Sequence, residues 1–218
     1  QRTANSGDKE AKRIYDALVK VKAHLEGGNS VRSCDLTDGE RETLADLYLL
    51  TDKPVLYVCN VDENAVVEGN SFTKAVKDAV KDEDCEVLFI SAAIEAEIAT
   101  LEDPEERSLF LDEMGLQEPG VNKLIQSAYK LLNLDTYFTA GEKEVRAWTI
   151  HKGFTAPQAA GGIHTDFEKG IIRAEVIKYE DYVALGSEAA CKEAGKLNIE
   201  GKEYLVQDGD VMHFRFNV

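Results

Sequence analysis

Two short stretches hold the side chains best suited to reading a ligand. Asn60-Val61-Asp62-Glu63 follows the apolar run Val55 to Cys59, and Ser91-Ala92-Ala93 follows Glu86 to Ile90. An Asn amide offers a donor and an acceptor together, which suits a purine edge, and an acid three positions on can hold an exocyclic group. The small side chains at 91–93 let backbone N–H groups approach a base. Taken alone, N-x-x-E after a strand is more often a solvated turn, so its weight depends on the elements that place it.

Other chemistry-bearing residues read more simply. Cys34, Cys59, Cys85 and Cys191 lack both the C-x-x-C spacing of a zinc site and the density of a disulfide scaffold, and they point to a reducing cytosol. Cys59 and Cys85 lie in apolar runs and are expected to be buried packing. His164 beside Thr165 and Asp166 reads as structural rather than as an acid or base. Trp148 reads as core, and Glu95 and Glu97 as a solvated acidic face. No G-x-x-x-x-G-K-[ST] occurs, and no D-x-x-G stands where a switch loop would need it, so the β/γ-phosphates and Mg²⁺ have no candidate ligands in this chain.

The two candidate stretches need strands ending side by side. Val55 to Cys59 and Glu86 to Ile90 are continuous apolar runs of the kind buried on both faces, and a helix over about 71–80 separates them. Helices over 94–101, 104–114 and 121–132 follow, so a parallel sheet built from βαβ units is expected, with ligands just beyond the carboxyl ends of its strands. Upstream, Ile14, Ala17, Leu18, Val21 and Leu25 mark an amphipathic helix stopped by Gly27-Gly28. Thr37-Asp38-Gly39-Glu40 has the form of a capping box opening a second helix that runs through Leu44, Leu47 and Tyr48. After Asp135 strands are expected at 136–140, 145–150, 172–177, 203–206 and 211–216, with helices near 156–169 and 187–194. In the last strand Met212, Phe214 and Phe216 should face the core, leaving His213 and Arg215 outside.

The net charge is −16, a field that opposes polyanions, but it is unevenly spread. Residues 1–30 hold six basic against four acidic side chains, 31–136 nine against 24, and 137–218 ten against 13. Any nucleic-acid contact is expected at the ends of the chain. No run of about 18 apolar residues suggests a membrane span, and residues 1–10 are polar, unlike a secretory signal.

Longer stretches carry a family likeness. Gly115-Leu116-Gln117-Glu118-Pro119-Gly120, Tyr129 to Leu134, Thr136 to Gly141, Glu144 to Ile150, Thr155 to Ala160, Ile163 to Gly170 and Asp208 to Met212 resemble the C-terminal portion of the YchF subfamily of Obg-like P-loop NTPases. The part from Thr155 to Gly170 also resembles the TGS domain of these proteins and of threonyl-tRNA synthetases. In that family the guanine-reading N-K-x-D is replaced by an N-x-x-E form associated with ATP, and Asn60 and Glu63 match its fixed positions. Val61 would add backbone contacts, and Ser91, Ala92 and Ala93 match the second base-proximal loop.

The resemblance implies an α/β fold. Residues 1–50 would be the end of a helical, coiled-coil insertion, 51–135 the second half of a P-loop-type G domain, and 136–218 a small α+β, β-grasp-like TGS domain. It implies ATP (or GTP) with Mg²⁺ as cofactor of the complete protein, a cytoplasmic setting, and no membrane. It also implies ribosome or RNA contact through the TGS domain and first helix. A chain starting inside the insertion is expected to be part of a longer one and not to hydrolyse nucleotide alone. The alternative is a non-catalytic RNA- or ribosome-binding module.

Overall fold

The apolar face over residues 14–25 forms α1 (Lys9–Glu26), opened by Asp8, whose carboxylate accepts the Glu10 and Ala11 N–H groups, and closed at Gly27. The computed structural model describes residues 8–141 and 144–216. They divide after Leu124 into two compact units.

In the first unit the capping box forms as expected, Thr37 and Glu40 satisfying each other's backbone at the start of α2 (Asp38–Leu44). α1 and α2 share a small core of Ala17, Val21, Val31, Cys34 and Leu44. The helix does not continue through Tyr48. It tightens to a 3₁₀ turn at Ala45–Leu47, and Tyr48 turns left-handed at φ 48°, leaving its ring 78% exposed. Reversal there lets Leu49 pack on the small core, and Arg41 clamps the return by meeting Asp52 at 2.6 Å and the carbonyl of Cys34 at 3.1 Å.

β1 (Leu56–Asn60), α3 (Ser71–Ala79) and β2 (Glu86–Ile90) make a βαβ unit, and the two strands pair in parallel from Leu56 opposite Glu86 to Asn60 opposite Ile90. α4 (Ala92–Thr100), α5 (Pro104–Glu113) and α6 (Gly120–Leu131) follow. Val66, Ile94, Ile98, Leu111 and Leu116 form the core beside them. The expectation of strands buried on both faces fails. No residue of β1 or β2 is fully buried, and Val58 is 46% exposed, because a sheet of two strands has no inner strand. Cys59 and Cys85 are accordingly half-buried, whereas Cys34 and Cys191 are buried, and all four are free thiols.

The second unit is a five-stranded mixed sheet in the order β4-β3-β7-β5-β6. β3 (Leu134–Ala140) and β4 (Val145–His151) form an antiparallel hairpin, and β7 (Asp210–Phe216) lies parallel to β3 and antiparallel to β5 (Ile171–Lys178). α7 (Ala156–Ile163) and α8 (Thr165–Gly170) replace the single helix expected over 156–169. The break is at His164, whose extended backbone and ring Nδ1, accepting the Asp166 N–H at 3.2 Å, start a new helix. α9 (Tyr179–Leu185), absent from the sequence reading, precedes α10 (Glu188–Glu193). The strand expected at 203–206 does not form. β6 is Asn198–Glu200 instead, and Leu205 makes an isolated bridge to Thr155.

Helices pack on both faces of this sheet. Tyr137, Ile150, Ala174, Val176, Met212 and Phe214 pack against Ala156, Ala159 and Ala160 of α7, whose methyls allow the helix to lie close; the Tyr137 hydroxyl donates to the Ala159 carbonyl at 2.9 Å. Ile177, Cys191 and Val211 form a second cluster beneath α9 and α10. Met212 and Phe214 are buried and His213 and Arg215 exposed, as alternation requires. At the start of β7 the Asp210 carboxylate, fully buried, meets Lys178 Nζ at 2.6 Å, the Tyr204 hydroxyl at 2.7 Å and the Gln207 N–H at 2.9 Å. Burial opposes the charge on Lys178, but its bonds to Asp210 and Tyr204 hold its pKa above the usual lysine value. Among the described residues no buried side-chain nitrogen or oxygen lacks a partner.

Candidate functional site

Parallel pairing brings the ends of β1 and β2 to the same edge of the sheet, and one side chain ties them together. Asn60 Oδ1 accepts the Ala92 N–H at 3.0 Å, and the Val61 N–H donates to the Ile90 carbonyl at 2.9 Å. Ala92 is the first residue of α4, so the Asn60 oxygen satisfies one of the amides a helix start leaves open. The oxygen is spent on structure. Asn60 is exposed and its NH₂ has no partner among the described residues, so it can donate to a ring nitrogen or carbonyl of a ligand.

The other candidates surround this link. Ser91 is 1% exposed, and its hydroxyl caps α4 by accepting the Ile94 N–H at 3.5 Å, so its role in this structure is to hold the loop. Ala92 and Ala93 are exposed and present little beyond a methyl group. Val61 is half-buried against the Ile94 cluster. Asp62, though exposed, caps the 3₁₀ turn Glu63–Ala65, accepting the Ala65 N–H at 3.1 Å. Glu63 is exposed, and its carboxylate is bonded to nothing among the described residues. The amide and acid of N-x-x-E are thus the two polar groups of this stretch left open to a ligand, while the acid between them is used by the backbone.

One residue was misread. Glu95 is not part of a solvated face: its carboxylate accepts the Gly120 N–H at 2.6 Å and the Val121 N–H at 3.3 Å, capping α6 from α4. The clue was Pro119-Gly120 before an apolar run, a helix start with no Ser, Thr, Asp or Asn of its own. Glu97 is exposed. Asp112-Glu113-Met114-Gly115 has the letters of D-x-x-G but closes α5, the Gly115 N–H donating back to Asp112 with Gly115 at φ 69°. His164 caps α8, and Trp148 is half-buried, stacked on Tyr137 with its indole N–H donating to Thr139 at 2.9 Å.

A parallel βαβ pair with an amide and an acid at its carboxyl edge, followed in the chain by a mixed-sheet module, defines a mixed α/β protein. Comparison with known proteins gives the family likeness. Residues 134–217 match the family model YchF-GTPase_C, described as a protein of unknown function (DUF933). The chain is 51% identical over its whole length to the ribosome-binding ATPase YchF of Pasteurella multocida, and 50% identical over 217 residues to that of Bacillus subtilis. It spans 60% and 59% of those relatives. Among solved structures it superposes on the YchF GTPase of Schizosaccharomyces pombe with a TM-score of 0.78 and 36% identity, over 92% of this chain and 53% of that one. A GTP-binding protein of Pyrococcus horikoshii, 17% identical with a TM-score of 0.54, shares the fold. The chain is therefore similar from end to end to the C-terminal portion of YchF-type proteins. Among the described residues no helix is long and apolar enough to cross a membrane.

Proposed function

We propose that this chain is the base-reading and partner-facing part of a nucleotide-hydrolysing, ribosome-associated protein of the cytoplasm that prefers ATP to GTP. The observation that carries this reading is the 3.0 Å bond from the Ala92 N–H to Asn60 Oδ1, which holds the amide by its oxygen at the strand ends and leaves its NH₂ without a partner among the described residues. Adenine fits such a site. Its ring nitrogens accept from Asn60, and its exocyclic amine donates to a carboxylate, the group Glu63 supplies. Guanine turns a carbonyl toward that carboxylate and is disfavoured.

In this reading residues 1–50 end a helical insertion, 51–135 complete a P-loop-type nucleotide domain, and 136–218 are a TGS domain of β-grasp type. The phosphates and Mg²⁺ are held by the part of the protein outside this chain, so these residues supply orientation and base selection rather than bond cleavage. Ribosome or RNA contact falls to the TGS domain and α1, the regions in which acidic excess is smallest. The relatives' names supply the ribosome and the ATPase activity.

The test is Asn60→Ala in the full-length protein, with ATP and GTP affinities measured by calorimetry. Loss of one charge-neutral base contact weakens ATP by about tenfold, or ~1.4 kcal/mol, and narrows the gap between the two nucleotides. Unchanged affinity and unchanged preference would remove Asn60 from the site.

A further inference from the structure

We propose that the second unit contains a separate cleft that binds a single nucleotide unit, independent of the strand ends that carry the base-reading site. The cleft is a solvent-open groove of about 620 Å³, within the size range of small-molecule sites, and is built wholly from residues 125–218. Its floor is the face of β3 turned away from α7, where alternation presents Leu134, Thr136 and Phe138. One wall is the second half of α6, with Ile125 and Tyr129, and the Tyr129 hydroxyl meets Thr149 of β4 at 3.0 Å, so the wall is fixed to the sheet. The opposite rim is the turn before β7. The Thr136 N–H donates to Asp208 Oδ1 at 2.8 Å, and the Gly209 N–H donates to the Thr136 carbonyl at 2.8 Å.

The lining matches the parts of a nucleotide. Two rings line the cleft, Tyr129 on the wall and the half-buried Phe138, tilted against Tyr179, on the floor, and a planar base can stack on an aromatic ring. Lys130 and Lys152 stand exposed at the mouth, and neither ammonium is paired among the described residues, so both are available to a phosphate. Asp208 keeps one carboxylate oxygen free of Thr136, an acceptor for sugar hydroxyls. Asp135 also borders the cleft, so two acids balance the two lysines and a bare anion gains little there. A ligand with a flat face, hydroxyls and one phosphate uses every group. A free mononucleotide and the end of an RNA strand share that chemistry.

The test is titration of AMP into the whole 218-residue chain, followed by backbone amide chemical shifts. Saturable shifts at Thr136, Lys152 and Gly209 are expected, with Asn60 and Ala92 reporting the other site separately. Lys130→Ala and Lys152→Ala, both at exposed positions, each weaken AMP by about tenfold. Adenosine and ribose 5-phosphate, each lacking half the ligand, bind more weakly than AMP. A three-nucleotide RNA binding tighter than AMP assigns the cleft to a strand end, and the reverse assigns it to free nucleotide. Shifts confined to Asn60 and Ala92, an absence of shifts, or a double lysine variant that binds AMP like the parent would overturn the proposal.

Discussion

The two units bury their apolar residues by different means. The second closes a five-stranded sheet between α7 on one face and α9 with α10 on the other, and locks its last strand with a buried carboxylate. The first has a two-stranded sheet and two modest clusters, and both units leave large apolar side chains in water, Leu50 and Phe72 at 80% in the first and Val145 at 72% in the second. Charge follows the same division, with 14 basic against 27 acidic residues up to Leu124 and 11 against 14 beyond it. A sheet without inner strands buries no residue fully, whereas the inner strands β3, β7 and β5 of the five-stranded sheet do. The contrast teaches that the most fully buried strands and the proposed base-reading groups reside in different parts of the chain.

The sharpest way to break that contrast is Asp210→Ala. It strips Lys178, Tyr204 and the Gln207 N–H of a common partner at once. The expected cost is about 3 kcal/mol, the low end for a broken buried pair, because Lys178 keeps 43% of its surface in water. Urea unfolding followed through Trp148, the single tryptophan, should move to lower denaturant, while helical signal from the first unit persists. Equal loss from both units would mean that they do not fold separately.

A smaller effect is expected in the first unit. Glu95→Ala removes the cap from α6, leaving the Gly120 and Val121 N–H groups to water at a cost of about 1 kcal/mol. Faster amide exchange at 120–124, with the mixed sheet unaffected, is the result to look for. Smallest is a pH effect on the exposed face of the sheet. Arg215 donates to both Glu175 oxygens, at 3.2 and 2.9 Å, and this holds the Glu175 pKa below the usual carboxylate value. Its contribution is complete above the unfolded carboxylate pKa of about 4.3 and is lost as pH falls through the lower folded value. With Arg215 47% exposed and screened by salt, the size is about 0.5 kcal/mol, detectable as a flatter acid limb in Glu175→Gln.

What the sequence could reveal was set by how local each signal is. The capping box at Thr37, the Gly27 stop and the alternation through Met212 and Phe214 are written in neighbouring residues, and each matches the structure. The parallel pairing of β1 with β2 was legible because two apolar runs flank one helix. The half-exposure of those strands was not, since burial depends on the number of neighbouring strands. Nor was the role of Glu95, whose partners lie 25 and 26 residues away, or the choice of Asn198–Glu200 over 203–206 as the edge strand. At the candidate site, the pattern N-x-x-E marked Asn60 and Glu63, but the division of labour between Asn60, Asp62 and Ser91 required coordinates.

That division limits how position 60 can change. One atom of the amide fastens a helix start to a strand end, and the other has no partner among the described residues. Asn60→Asp would keep the fastening and turn a donor into an acceptor, reversing the hydrogen-bond language in which the residue addresses a base. Asn60→Ser would be too short to span both duties. Architecture and vocabulary are thus coupled in a single planar group, and altering what is recognised while sparing the fold leaves this position very few alternatives.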